Sequence, residues 1–127
     1  MSLTNEQKRE HFERAVAMDG GTYAVDDVIE MVKAGNAQFW ERGDGMVVTE
    51  IRSYPRRRVL NYWLIAGRLH DCLALEADIE AWAVAEGCAS ATAAGPRKWR
   101  NVVEKRGWRE DLPHYWKPLT PEGETHG

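Results

Sequence analysis

The sequence predicts a mixed α/β (α+β) fold: two helices, an antiparallel meander of three strands, one β-α-β crossover and a C-terminal helix. Three observations predict it. Apolar residues recur at helical spacing up to about Ala34, switch to strand-like runs from Ala37 to Ala66, and return to helical spacing from Leu69. Turn-forming clusters, Gly43-Asp44-Gly45 and Pro55-Arg56-Arg57-Arg58, separate the strand runs. The 127 residues, 43% hydrophobic and 29% charged, have the size and composition of one soluble domain covering 1–127.

Each element has a local reason. Thr4-x-x-Gln7 is a capping box, so a helix is expected from about Asn5 to Met18. Its apolar stripe, Phe12, Ala15 and Val16, is narrow, which predicts a surface helix (residues 1–21) or one packed on a partner. Gly20-Gly21 breaks it. Val25 to Ala34 carries Val28, Ile29 and Val32 on one face, Asp26 and Asp27 in its first turn and Gly35 as its stop. Ala37 to Glu41 is the first strand. Met46 to Tyr54 is the second, with Val47, Thr49, Ile51 and Ser53 on one face. Val59 to Ala66 is apolar almost throughout, as a strand covered on both faces requires.

Leu69 to Glu86 reads as a long helix with Leu69, Cys72, Leu75, Ile79, Trp82 and Ala83 facing the core, ended by Gly87. Cys88 to Ala94 has weak strand propensity but lies where a parallel partner follows a right-handed crossover. Gly95-Pro96 opens a helix through about Arg106, closed by Gly107-Trp108. Tyr115-Trp116 is expected as a last edge strand, and residues 120–127 as a flexible tail.

Several classes are excluded. No apolar run approaches the roughly 20 residues of a membrane span. Met1 to Glu10 holds no apolar signal core, and Cys72 and Cys88 make no disulfide framework, so a cytoplasmic location is expected. A net charge of −3 gives no overall attraction to nucleic acid. His11, His70, His114 and His126 show no metal-ligand spacing.

Two runs carry a family likeness. Ala81-Trp82-Ala83-Val84-Ala85-Glu86-Gly87-Cys88 resembles the "A-x-x-x-G-C/A" end of the long helix in the GNAT N-acetyltransferase superfamily. Val102-Val103-Glu104-Lys105-Arg106-Gly107-Trp108 resembles the "f-Y-e-k-x-G-F" run that closes the next helix. The likeness covers about 70 residues, from Pro55 onward. Gly95-Pro96-Arg97-Lys98-Trp99, with Gly107-Trp108 after it, is similar to the ending of small GNAT-like proteins encoded among phage and prophage morphogenesis genes. That narrower likeness implies a virion-associated location as the alternative to the cytoplasm.

The resemblance implies an acyl-CoA site at the start of the long helix, where a "Q/R-x-x-G-x-G/A" loop lets backbone N–H groups reach a diphosphate. Arg68 matches its first position. Asp71 stands where the first glycine belongs and Leu73 where a small residue belongs, Val103 replaces the tyrosine many members use as general acid, and Pro96 replaces a common asparagine. If acyl-CoA binds, Ile65, Ala66, Arg68, Leu69 and His70 are its expected contacts. Asp71 as an N-cap would instead fill the anion site with the chain's own carboxylate. The departures predict no cofactor, with acetyl-CoA the one to test.

Other constellations read mainly as structure. Arg97, Lys98 and Arg100, with Trp99 and Trp108 interleaved, would suit phosphates and stacked bases, but helical spacing turns Trp99 inward. Arg56-Arg57-Arg58 reads as a solvated turn able to grip an acidic partner. His70 and Cys72 are two apart on a helix and do not face each other, so they make no nucleophile pair, and Cys72 is expected as an inert buried thiol. Glu76 and Glu80 belong to a polar helix face. Among six tryptophans, Trp40 and Trp116 are the ones expected to reach a partner.

The expected function is therefore a non-catalytic interaction or structural role on a degenerate GNAT-like scaffold, with a protein partner or self-association. A divergent N-acyltransferase is the alternative, and a nucleic-acid-binding module the second.

Overall fold

Thr4 starts the first helix as its spacing dictates: its hydroxyl accepts the Gln7 N–H at 3.1 Å and the Gln7 side chain accepts the Thr4 N–H at 2.9 Å. The computed structural model describes residues 2–18, 21–111, 115 and 117–121. Helix α1 runs Asn5–Ala17 and α2 runs Val25–Lys33, where the Asp27 carboxylate accepts the Ala24 N–H at 2.8 Å. Strands β1 (Gln38–Arg42), β2 (Gly45–Ser53) and β3 (Arg58–Gly67) form the meander. Helix α3 (Leu69–Ala85) crosses to β4 (Cys88–Ala93), giving the sheet order β1-β2-β3-β4, antiparallel for the first two pairings and parallel for the last.

The sheet is covered on both faces. On one, Val16 of α1, Val28 of α2, Ala37, Val48 and Leu64 form a buried cluster, joined by Phe12, Ala15, Tyr23 and Trp63. Phe12 meets Phe39 edge to face at 6.3 Å, and Tyr23 meets Trp63 at 4.7 Å. On the other face, α3 buries Cys72, Leu75, Ile79 and Ala83. Most of α1 is exposed, and Val16 is its one buried residue. A narrow stripe suffices to bury Val16, because aromatic side chains from β1, β3 and the loop before α2 widen the contact.

Double coverage also changes β2. Met46, Val47, Val48 and Thr49 are all buried, where alternation alone would expose every second one; Arg52 and Ser53, at the far end, are exposed. The register skips Trp63 between Val48↔Leu64 and Thr49↔Tyr62, so β3 carries a bulge there. The extra residue puts Trp63 and Leu64 in succession against the same cluster.

Strands β3 and β4 run together from Arg58/Cys88 to Tyr62/Ala93. Beyond Tyr62, among the described residues, Leu64–Gly67 pairs only with β2.

The chain divides into two compact units between Ala93 and Ala94. In the second, a 3-10 turn at Arg97–Trp99 leads into α4 (Arg100–Glu104), and Gly107, with φ +93°, ends it. The helix is shorter than the expected Gly95 to Arg106, and Pro96 precedes its first turn rather than lying in it. Trp99 is half-buried over Gly95, where a Cβ would come within 2.6 Å of its ring. Tyr115 is exposed and outside any strand; Trp116, His114, His126 and most of the expected tail lie outside the described residues.

Candidate functional site at the start of helix α3

The corner where acyl-CoA would bind is built from three pieces of chain: the β1–β2 turn Gly43-Asp44, the end of β3, and the first turn of α3. Gly43, φ +55°, makes a two-residue turn between Arg42 and Gly45. Asp44 is 4% exposed and every polar group of it is engaged. Its N–H donates to Asp71 Oδ2 at 2.9 Å and its carbonyl accepts the Arg68 N–H at 2.9 Å. Its Oδ1 accepts the Leu3 N–H at 2.9 Å, and its Oδ2 lies 3.5 Å from Arg68 Nε.

Glycines make this fit possible. A Cβ on Gly67, φ +84°, would stand 1.9 Å from the Asp44 carbonyl oxygen, and one on Gly45 would stand 2.6 Å from the Cys72 nitrogen. A Cβ on Gly43 would meet the Asp71 carboxylate at 3.0 Å. The close approaches these glycines allow join the β1–β2 turn to the end of β3 and the first turn of α3.

Asp71 is not the N-cap, which corrects that expectation. The cap is Arg68, whose carbonyl accepts both the Asp71 and Cys72 N–H groups at 3.1 Å and whose side chain makes no capping bond. Asp71 sits in the first turn with its carboxylate turned to the β1–β2 turn, 27 positions away in sequence. Its charge still complements the helix dipole. The Leu69 and His70 N–H groups have no partner among the described residues. His70 is exposed; Leu69 and Leu73 are half-buried.

Cys72 is buried, its Sγ–H directed to the Ala66 carbonyl at 3.2 Å. Burial pushes the thiol above its ordinary pKa, so it is no thiolate nucleophile. Ala66 is buried and Ile65 half-buried.

Trp40 lies on β1, outside the three pieces of chain that build this corner. Trp40 packs edge to face on Trp82 at 5.6 Å and donates its Nε1–H to Thr49 Oγ1 at 3.0 Å, and its ring is half-buried. In the second unit Arg97 and Lys98 are exposed, whereas Arg100 pairs with Glu104 at 2.9 Å and Glu110 at 3.5 Å. Val103 is half-buried in α4. No three His, Cys, Asp or Glu side chains gather as a metal site would require among the described residues, and no helix among them is long and apolar enough to cross a membrane.

Sequence reasoning missed Asp44 as the centre of this corner. The Gly-Asp-Gly run was the available signal, but it reads as turn chemistry until the turn is seen to face α3.

No protein-family model and no curated protein matches the chain. Among solved structures it is similar to an acetyltransferase of Trypanosoma brucei, at 15% identity over 94% of this chain and 97% of that one, TM-score 0.60. A protein of Thermus thermophilus is similar at 15% identity, 94% and 96% coverage and TM-score 0.61. A GNAT family acetyltransferase of Staphylococcus aureus follows at 12% identity, 94% and 96% coverage and TM-score 0.52. The chain has the GNAT acetyltransferase fold. At these identities the likeness concerns the fold, and activity has to be argued from the corner just described.

The GNAT corner of this chain fits a diphosphate poorly. It gathers two carboxylates, Asp44 and Asp71, against one guanidinium, Arg68, which Asp44 already holds. Two free amides remain, in a setting of net negative charge.

Proposed function

We propose that this chain is a non-catalytic interaction or structural protein on the GNAT fold, with a role in phage or prophage morphogenesis, in the virion or the cytoplasm, and that its ligand is a protein. One observation carries the reading: the Asp71 carboxylate, where GNAT enzymes keep a glycine, accepts the N–H of buried Asp44 at 2.9 Å. The bond locks an acidic residue beside the helix start and brings a second carboxylate with it. A diphosphate entering there meets like charge in a partly water-excluded corner, where repulsion is weakly screened. The phage assignment is supported by the Gly95–Trp99 and Gly107-Trp108 runs alone.

Thermal denaturation with acetyl-CoA tests the reading. A ligand at 100 times its dissociation constant stabilises the folded state by about 2.7 kcal/mol. The expected result is an unchanged melting temperature at millimolar acetyl-CoA; a saturable rise overturns the proposal.

A second reading, a divergent acyl-CoA-dependent N-acyltransferase, is favoured by the two free amides of Leu69 and His70 and by the edge of β3 beyond Tyr62. There Leu69 and His70 would hold the diphosphate, Arg68 would supply positive charge, and Ile65 and Ala66 would offer backbone groups to the amide-containing arm of the cofactor. Acetyl transfer to an amine, followed by release of free thiol, decides between the two.

A further inference from the structure

Charge along this chain is sorted into blocks. From Ile51 to His70 there are five arginines and no acidic residue; from Asp71 to Pro96 there are five acidic residues and no lysine or arginine.

The arginine block ends the β2–β3 hairpin. Arg52 is held by Glu50 at 2.9 Å, and the Arg58 guanidinium donates to the Glu86 carbonyl at the end of α3. Arg56 and Arg57 are exposed and meet no carboxylate among the described residues. The tip is firm: the Tyr54 N–H donates to the Arg57 carbonyl at 2.8 Å, and Pro55 fixes one backbone angle between them. Tyr54, at the base of the tip, is 53% exposed with its side chain hydrogen-bonded to Arg52.

Four residues of the acidic block lie on α3, and of these Asp78 is exposed. Opposite the sheet-facing residues of α3 lie Ala74, Ala77, Ala81 and Val84, all exposed, recurring every three or four positions in a straight strip. Val84 is 71% exposed. By helical spacing Asp78 and Glu80 flank the strip on its two sides; Glu80 is half-buried and accepts the Tyr62 hydroxyl at 3.4 Å, and Asp78 is exposed with no partner among the described residues. Asp78 lies about 12 Å back along α3 from Glu86, by the rise of a helix. No ion pair joins tip and strip within the chain among the described residues.

We propose that the arginine tip of one copy docks on the acid-flanked alanine strip of α3 in a second copy. Charge complementarity selects this occupant. Strip against strip would set Asp78 and Glu80 against like charges, whereas the tip brings two cations whose aliphatic stems would lie over alanines too small to obstruct them. The contact joins two different patches, so it is heterologous and propagates or closes into a ring. It deepens the interaction reading above by naming the protein ligand as the chain itself.

Sedimentation over a range of concentrations tests it. In low salt the mass of the full chain rises above that of the monomer, and it falls back in about 0.5 M salt, where the screening length is only a few Å. R56E/R57E and D78R/A81R are each monomeric, with circular dichroism melts showing both folded. Their equimolar mixture associates again, because each altered patch then meets the opposite charge. A wild type that stays monomeric in low salt, association that survives either variant, or a mixture that fails to associate overturns the proposal. A monomeric wild type that binds heparin through Arg56 and Arg57 also overturns it, in favour of a polyanionic ligand. Acetyl-CoA binding with association intact overturns the non-catalytic reading and leaves this one standing.

Discussion

The two ends of α3 solve opposite problems. At its N-terminal end every polar group of Asp44 is paired, three glycines are packed against neighbouring chain, and Asp71 is committed to the β1–β2 turn. Toward its C-terminal end the helix leaves Val84 exposed, and the hairpin tip tethered there by Arg58 leaves Arg56 and Arg57 unpaired among the described residues. The difference teaches where to look for function. At the N-terminal end the Leu69 and His70 N–H groups alone lack partners among the described residues of that corner, and on the outer surface Asp78, Arg56 and Arg57 lack them.

The contrast breaks most sharply at Gly67. Gly67→Ala forces a Cβ against the Asp44 carbonyl at a backbone angle that alanine resists, and a loss of about 3 kcal/mol or more is expected in a denaturant titration. A tolerated alanine would mean that the corner is loose. Asp44→Ala removes the acceptor for Leu3 and the partner of Arg68 and is expected to cost about 2 kcal/mol; Asp71→Ala, which strands only the Asp44 N–H, costs about 1 kcal/mol. Measuring both, with the double variant, shows whether the corner acts as a unit.

Smaller effects sharpen the comparison. Thr4→Ala loses the cap of α1 and about 1 kcal/mol. The buried Cys72 thiol titrates above the ordinary value of 9.0, so its contribution to stability is complete below that pH and is lost as pH rises through the higher folded value. Chemical denaturation between pH 8 and 10.5 should show a steeper alkaline loss in the wild type than in Cys72→Ala. At the other end of α3, Arg56→Ala and Arg57→Ala should leave the melting temperature of the monomer unchanged, since neither side chain touches a partner in its own chain among the described residues.

Local chemistry was legible in the sequence where it acts over a few residues. Thr4 and Gln7 mark the start of α1, Gly43-Asp44 the hairpin, and the period of Cys72, Leu75, Ile79 and Ala83 the buried side of α3. β4 was legible despite its alanines, because a crossover helix needs a parallel strand after it. What was not legible depends on distant partners. The Trp63 bulge follows from fitting two large side chains to one cluster, and Val16 is buried only because aromatics elsewhere meet α1. The direction of the Asp71 carboxylate depends on a turn 27 residues earlier, so position in the helix alone suggested a cap that Arg68 takes instead. The contacts of Trp40 depend on distant residues too: Trp82 and Thr49 lie on other elements.

The most direct measurement is the backbone amide spectrum of the full chain, followed at Leu69, His70 and Asp71 during titration with coenzyme A. A corner closed by Asp44 and Asp71 predicts that these three resonances stay in place to millimolar ligand. Saturable movement of Leu69 and His70 would show a diphosphate on their N–H groups and would contradict the account.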